Sequence, residues 1–371
     1  MLSGRDEAGP CARPEVAVTS PACHGALDYA ELERLGLDAD EVLDFSVNSN
    51  PYGPSPAVRQ ALADVPLERY PDREALALRR ALADRLGLSP EQIVIGNGTA
   101  ELLWLVALAF LRPGDRVLII APTFGEYERA AALMGASVEL WTAQPERTFA
   151  VEPGQVGQRL KDLAPRLVFL CNPNNPTGTV LPLESISAWA EAHPATLFVV
   201  DEAYLAFAPG QRSALNAALD NILVLRSMTK DYALAGLRLG YAAGHPSVIT
   251  ALRRVLPAWN VNALAQAAGM AALNDEAHLR KSLEALGRAR QTLVADLRRL
   301  GLSPLPSAVH FFLVRVGDGC AFRQALLQQG ILVRDCASFG LPAYVRIATR
   351  RPEENERLVY AVGQVLAGQR R

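Results

Sequence analysis

The sequence lacks the cysteine and histidine patterns of disulfide-rich and metal-binding proteins, and it has no long apolar run. Its five cysteines are scattered and include no Cys-x-x-Cys pair, which is neither a disulfide framework nor a zinc ribbon. The five histidines show no pair at i and i+4, so we expect no metal site. The longest apolar run, residues 102–111, has about half the length needed to span a bilayer. It predicts a buried helix.

Charge of either sign is not in excess, and the N-terminus carries no apolar leader. Lys and Arg number 37 against 39 Asp and Glu, which leaves a formal net charge of −2. This balance argues against a nucleic-acid partner or an anionic membrane surface. Residues 1–10 lack the apolar run of a signal peptide. We therefore expect a cytoplasmic protein, and its 371 residues, half of them hydrophobic, are enough to bury a large core.

From about residue 53, helical patterns alternate with short apolar runs such as residues 117–120, 167–170 and 197–200. Such runs, separated by helices, are typical of a parallel sheet covered on both faces. After about residue 250 the pattern changes to that of a smaller α+β unit. The expected parts are a flexible arm over residues 1–22, an N-terminal segment over 23–52 packing with the small domain, a large domain over 53–250 and a small domain over 251–371.

Two loops that follow predicted strands carry groups suited to ligands, which collect at the carboxyl ends of strands in open α/β sheets. Residues 97–101, Asn-Gly-Thr-Ala-Glu, lie between a strand and a helix, where free N–H groups and the helix dipole suit a phosphate. Residues 172–178, Asn-Pro-Asn-Asn-Pro-Thr-Gly, predict a rigid loop from which Asn175 offers an amide donor. Each segment alone is also compatible with an ordinary structural turn.

Two further segments bring opposite charges to the same edge. Asp201 directly follows the apolar run 197–200, and a carboxylate there is costly to desolvate unless it meets a cation such as a protonated pyridine nitrogen. Lys230 precedes Arg238 by eight residues, so the lysine can form an imine while the arginine holds an anion. The alternatives are a helix-capping aspartate and an exposed lysine.

In this order, the four segments resemble the class I/II aminotransferase superfamily over about residues 24–365. The resemblance implies an α/β fold of the aspartate-aminotransferase-like type (PLP fold type I), with a mixed, mostly parallel sheet in the large domain plus the smaller α+β domain. It implies pyridoxal 5′-phosphate as cofactor, bound in the large domain, and a small-molecule substrate. It also implies a homodimer in which Tyr70, within Arg69-Tyr70-Pro71, reaches the cofactor phosphate of the neighbouring subunit.

The resemblance implies a role for each motif residue. Lys230 is the Schiff-base lysine, and Asp201 pairs with the pyridinium nitrogen. Asn175 and Tyr204 contact the ring hydroxyl, and Phe124 stacks on the ring. The residues implied to hold the cofactor phosphate are Thr99, Ala100, Thr229 and Arg238. The protein would then select which bond at the substrate carbon breaks, while the cofactor accepts the electrons.

The flanking segments resemble one branch of the superfamily, the threonine-phosphate decarboxylases of cobalamin biosynthesis. The segments that resemble this branch are His24-Gly25 and residues 43–51, 225–232, 257–263 and 334–339. The expected activity is therefore decarboxylation of L-threonine O-3-phosphate to 1-amino-2-propanol O-2-phosphate. Its phosphate would be held by His24, Asn48 or Asn50, and Arg334. Arg346 and Asn175 would orient the carboxylate.

Other features favour different functions. Tyr204 and the pair Ala235-Gly236 resemble aminotransferases, so a histidinol-phosphate aminotransferase of histidine biosynthesis is the alternative. A ligand-sensing module of a transcription regulator is a further alternative, but the 23 residues before His24 are too few for a DNA-binding domain. A binding protein without catalysis is disfavoured because Lys230, Asp201 and Arg238 are all present.

Overall fold

The structure is a computed structural model that describes residues 11–369; the first ten residues of the predicted arm lie outside the described residues. The strands are β1 Leu43–Asp44, β2 Ile93–Gly96, β3 Arg116–Ala121, β4 Ser137–Thr142, β5 Leu167–Cys171, β6 Leu197–Asp201, β7 Ile222–Ser227, β8 Gly240–Gly244, β9 Phe311–Arg315, β10 Ile331–Leu332, β11 Arg334–Asp335 and β12 Tyr344–Ala348.

The helices surround these strands on both sides. They are α1 Pro14–Val18, α2 Tyr29–Leu35, α3 Pro56–Ala63, α4 Leu76–Leu86, α5 Gly98–Phe110, α6 Glu126–Leu133, α7 Pro153–Leu163, α8 Leu183–Ala192, α9 Pro246–Val255, α10 Ala263–Asn274, α11 Glu276–Arg299, α12 Gly319–Leu327 and α13 Pro352–Gln369. Within residues 11–369, none of them is both long and apolar enough to cross a membrane.

A seven-stranded sheet forms the centre, in the order β2-β8-β7-β6-β5-β3-β4. Strands β3 to β7 run parallel, and β8 runs antiparallel to both of its neighbours. β5, β6 and most of β7 are buried along their length, because helices cover both faces of the sheet. The predicted mixed, mostly parallel sheet is confirmed.

Strand β8 was not predicted, because its Gly-Tyr-Ala-Ala-Gly sequence has no β-branched residue. Its first residue, Gly240, runs against the turn that begins α5. A Cβ on Gly240 would lie 2.9 Å from the Arg226 carbonyl oxygen and equally close to the backbone of Gly98 and Thr99. Only glycine allows this approach, which fixes the N-terminus of α5 beside the sheet edge.

A smaller antiparallel sheet, β11-β12-β9, packs with α11, α12 and α13 around a separate core. Strand β1 pairs with β10 in parallel, which attaches residues 43–44 to this part of the chain. Strands β10 and β11 are short and belong to different sheets, since the chain changes partner at the fully buried Val333. The domain boundaries themselves stay a prediction.

The described part of the predicted arm contains a short helix. At the two ends of α1, the Thr19 hydroxyl donates to the Glu15 carbonyl at 2.6 Å, and Arg13 Nη2 donates to the Leu133 carbonyl at 3.1 Å. Residues 18–26 then run along the wall of a large cavity. The flexibility of the arm stays a prediction.

Candidate active site

The cavity of about 1020 Å³ is lined by Asn175, Tyr204 and Lys230, which follow β5, β6 and β7, and by Arg334 and Arg346 of the smaller sheet. A smaller space of about 100 Å³ adjoins it at the central sheet. The residues that line both are Ala100, Phe124, Asn175, Tyr204, Lys230 and Arg238. The structure therefore brings most of the predicted site residues to one place.

Lys230 lies in the loop after β7 and is mostly buried. Burial lowers the pKa of its amine to about 8, and the nearby Arg346 and Arg238 guanidinium groups add to the effect, while Asp201 opposes it. Much of this amine is therefore neutral near pH 8, and a neutral amine is the form that attacks a carbonyl group.

Asp201 ends β6 and is 4% exposed. Its Oδ2 accepts a hydrogen bond from the Tyr127 hydroxyl at 2.7 Å, and its Oδ1 accepts one from the Ala203 amide at 3.0 Å. Burial raises the pKa of this carboxyl, and the two hydrogen bonds oppose the rise. Since both described hydrogen-bond partners are neutral, a cationic group of a ligand would compensate the buried carboxylate.

Tyr127, on α6, was not predicted as a site residue. Its ring stacks on Phe169 with 5.1 Å between centroids and meets the Phe124 ring edge-on at 5.6 Å. Burial raises the pKa of its hydroxyl well above the usual value, so the group stays a donor to Asp201. Its position three residues after Phe124 is compatible with a buried helix face but does not identify Asp201 of β6 as its partner.

An anion site forms where α5 begins. Gly98 has a left-handed φ of +76°, and a Cβ on it would lie 2.9 Å from Arg238 Nη2, so this guanidinium stands against the helix N-terminus. The Ser227 and Thr229 hydroxyls lie 2.7 Å apart at the same edge, and Thr99 and Ala100 supply the first turn. Free helix N–H groups, hydroxyls and an arginine are the donors that phosphates bind.

Arg346, on β12, is 5% exposed and forms the wall facing this site. It donates from Nη1 to Asn175 Oδ1 and from Nη2 to the Ser46 carbonyl. Its Nε is buried and has no hydrogen-bond partner among the described residues. Next to it, the Tyr204 hydroxyl accepts from Asn48 Nδ2 at 3.4 Å, and burial raises the pKa of that hydroxyl.

Arg334 is the cross-strand neighbour of Arg346 in the β11–β12 pair and is equally buried. It donates from Nη2 to the Cys23 carbonyl at 2.9 Å and to the Ser338 hydroxyl at 2.6 Å. Like charges on directly opposed residues are unfavourable. A doubly charged anion in the cavity, shared by the two guanidinium groups, would remove that cost.

Two predicted residues lie outside this arrangement. The Asn50 amide donates to the Ser282 hydroxyl at 2.8 Å and to the Asp231 carbonyl at 3.0 Å, so its donors are already used within the fold and the geometry does not support a substrate contact. Tyr70 is 79% exposed, with its ring 4.8 Å from that of Trp259. Its contact with a neighbouring subunit stays a prediction.

The cavity wall also contains Trp104, Glu126 and Arg129, which no sequence pattern indicated. Glu126, the first residue of α6, is 5% exposed. It accepts hydrogen bonds from His24 Nε2 at 3.0 Å, from Trp104 Nε1 at 3.1 Å and from Arg129 Nη1 at 3.3 Å. His24 thus lines the cavity with one ring nitrogen bound to a carboxylate, and its contact with a substrate phosphate stays a prediction.

Residues 40–362 match the family model described as aminotransferase class I and II. The chain belongs to this family. It is 37% identical to the histidinol-phosphate aminotransferase of Moorella thermoacetica, with 95% of each chain covered. Its structure is similar to that of the Sinorhizobium meliloti histidinol-phosphate aminotransferase in complex with pyridoxal 5′-phosphate, with a TM-score of 0.87, 26% identity, and 98% and 99% of the two chains covered.

Membership of this family confirms the aspartate-aminotransferase-like fold and pyridoxal 5′-phosphate as the cofactor. The described residues fit this group. The anion site at the start of α5 suits its phosphate, the buried Asp201 suits its pyridinium nitrogen, and Lys230 lines the same smaller space.

The expected decarboxylase activity is wrong, and with it the assignment to the lyases and to cobalamin biosynthesis. The family's curated relatives at 36–39% identity over most of the chain are histidinol-phosphate aminotransferases. The L-threonine-O-3-phosphate decarboxylase of Porphyromonas gingivalis is a structural neighbour, with a TM-score of 0.76, 28% identity, and 87% and 99% of the two chains covered. The segments that led to the wrong prediction include His24 and Arg334. Both residues suit a phosphate ester, and threonine phosphate and histidinol phosphate each carry one.

Proposed function

We propose that the chain is a histidinol-phosphate aminotransferase. It transfers the amino group of histidinol phosphate to 2-oxoglutarate, so that the substrate carbon becomes a carbonyl and glutamate forms. The observation that carries the proposal is 37% identity over 95% of the chain to an enzyme of that name. The buried pair Arg334 and Arg346, at the wall facing Lys230, supports it because the substrate has a phosphate dianion.

The cofactor, when bound, supplies an electron sink for the bond that breaks at the carbon bearing the amino group. We assign Asp201 to its pyridinium nitrogen and Asn175 and Tyr204 to its ring hydroxyl. Phe124 covers the ring. The residues assigned to its phosphate are Thr99, Ala100, Thr229 and Arg238, with the unpredicted Ser227 beside them.

Lys230 would hold the cofactor through its Nζ, and the same nitrogen would take up and return the proton of the substrate carbon. The lowered pKa suits this role, since an amine that is half neutral near the working pH both takes up and returns a proton readily. The two hydrogen bonds of Asp201 favour its charged form, and a pyridinium nitrogen bound beside it would favour that form further. Tyr127 holds the carboxylate in place.

Arg334 and Arg346 bind the substrate phosphate, and Asn175 orients Arg346 through its Oδ1. Arg346 also donates a hydrogen bond to the Ser46 carbonyl. The substrate phosphate is therefore bound where the N-terminal segment meets β12. Asn48 lines the same cavity; its buried Oδ1 has no partner among the described residues and, as an acceptor, suits the substrate amine and not its phosphate. Binding the phosphate at this fixed point leaves the amine to reach Lys230.

The test uses the purified holoenzyme with histidinol phosphate and 2-oxoglutarate, with glutamate as the measured product. We expect steady glutamate formation that depends on both substrates. Threonine phosphate serves as the comparison compound, and we expect no carbon dioxide from it. The proposal is overturned if glutamate does not form from histidinol phosphate while another amino donor supports turnover.

A further inference from the structure

The proposed mechanism leaves one buried carboxylate of the cavity unused. Glu126 is the first residue of α6, its side chain is 7% exposed, and it lies on the same wall as Trp104 and His24. Taking a carboxylate out of water is costly, and its hydrogen bonds to His24, Trp104 and Arg129 offset that cost. His24 and Trp104 come from other parts of the chain, and Arg129 lies one turn further along α6, so three donors converge on one acid at the substrate cavity.

The geometry fixes the hydrogen of the histidine ring. A carboxylate only accepts hydrogen bonds, so the contact of 3.0 Å requires that His24 Nε2 carry the hydrogen. In the neutral ring Nδ1 is then the acceptor. This nitrogen has no hydrogen-bond partner among the described residues, and 48% of the His24 side chain is exposed. His24 thus offers an oriented acceptor at the wall of the cavity.

The surrounding wall is aromatic. The His24 ring lies 5.5 Å from that of Phe124, tilted by 40°, and the Arg129 guanidinium lies 5.4 Å from the centre of the Trp104 ring. Flat faces of this kind pack well against a flat ring. The two arginines for the phosphate belong to strands β11 and β12, whereas this wall consists of helix and loop residues. The cavity therefore has a cationic part and an aromatic part with one acceptor.

Resting on the proposed function, we propose that His24 and Glu126 determine specificity for the imidazole ring of the substrate. The His24 Nδ1 accepts the N–H of that ring, and Glu126 is a positioning residue that holds His24 in the tautomer and orientation required. Removing the acceptor would leave the N–H of the bound substrate without its protein partner, and such losses discriminate between ligands.

The test compares two substrates of the holoenzyme. One is histidinol phosphate, and the other is phenylalaninol phosphate, which keeps the amine and the phosphate but has a ring without N–H. For Glu126→Leu and His24→Phe, we expect kcat/KM for histidinol phosphate to fall about ten- to a hundredfold. The value for phenylalaninol phosphate should stay within about threefold.

Matched variants separate positioning from packing. Glu126→Gln keeps a carbonyl oxygen that accepts from His24, and we expect it to retain most of the preference for histidinol phosphate. Glu128→Leu alters an exposed acid on the same helix and at the rim of the same cavity, and we expect no change. Nitrogen-15 shifts of His24 should report Nε2–H in the wild type and a mixture of tautomers in Glu126→Leu.

The outcomes are distinct. If the wild type does not convert histidinol phosphate, the proposed function fails, and the substrate assignment of His24 fails with it. If the wild type converts it but the variants lose both substrates equally, only this inference fails, and Glu126 is then a structural tie for the N-terminal segment. If His24 carries its hydrogen on Nδ1, this nitrogen cannot accept from the substrate, and the inference fails whichever substrate is used.

Discussion

At the scale of single residues, the lysine environment controls how the cofactor is taken up. Burial and two guanidinium groups lower the pKa of Lys230 to about 8, so about one amine in ten is neutral at pH 7 and about half at pH 8. The rate at which the apoenzyme bonds pyridoxal 5′-phosphate should therefore rise about tenfold per pH unit below the pKa and level off above it. This rate is measured from the absorbance of the bound cofactor.

The identity of the lysine is tested separately. Lys230→Ala should abolish the covalent bond to the cofactor while the fold is retained, because the side chain leads into the cavity and not into a core cluster. Borohydride reduction of the wild type followed by peptide mapping should tag Lys230. Lys161, in the last turn of α7, is the internal control, and a tag on it would contradict the assignment.

The hydrogen bond from Tyr127 favours the charged form of Asp201, and a tyrosine variant tests this effect. Tyr127→Phe removes the 2.7 Å hydrogen bond that opposes the effect of burial on the Asp201 pKa. That pKa should rise, and because the charged carboxylate is the active form, activity should be lost at a higher pH on the acid side. At the optimum, kcat should fall about tenfold, which corresponds to about 1.4 kcal/mol. An unchanged acid limb in the pH profile would show that Tyr127 does not act through Asp201.

At the scale of elements, the sequence predicted those whose pattern is local. Strands β3, β5, β6 and β7 are continuous apolar runs, which predict buried parallel strands. Helix α5 follows a glycine-containing loop, which predicts the edge of the sheet where ligands bind. Strand β8 was not, because close approach to α5 selects glycine and alanine there. Glu126 and Tyr127 were missed for a related reason. Their partners, His24 and Asp201, are 102 and 74 residues away, and no spacing rule reaches that far.

The role of Gly240 gives a prediction for the sheet edge. In Gly240→Ala the new Cβ would meet backbone atoms of Arg226, Gly98 and Thr99 at 2.9 Å, so the start of α5 must shift. We expect a loss of about 1–3 kcal/mol in the free energy of unfolding together with weaker binding of pyridoxal 5′-phosphate. Gly154→Ala is the control, because nothing lies within 4 Å of its Cβ position. Equal behaviour of the two variants in thermal melts and cofactor titration would refute this account of β8.

At the scale of the whole molecule, the exposed aromatic pair indicates an assembly. Tyr70 is 79% exposed and Trp259 is 47% exposed, with their rings 4.8 Å apart. Large aromatic rings are costly to leave in water and are enriched at interfaces. Tyr70 is also the residue implied to reach the neighbouring cofactor phosphate. We therefore expect a homodimer in sedimentation experiments, with each subunit completing the anion site of the other.

Complementation tests this arrangement directly. Lys230→Ala removes the catalytic lysine, and Tyr70→Ala removes the contribution to the neighbour, so each homodimer should be nearly inactive. In a mixed dimer, the subunit that keeps Lys230 receives the intact Tyr70 of its partner, and one complete site forms. Co-refolding equal amounts should therefore restore about a quarter of the wild-type activity, since about half of the dimers are mixed and each has one intact site of two. If Tyr70 acted only within its own subunit, the Lys230-bearing subunit would lack its tyrosine in every dimer, and mixing would restore nothing.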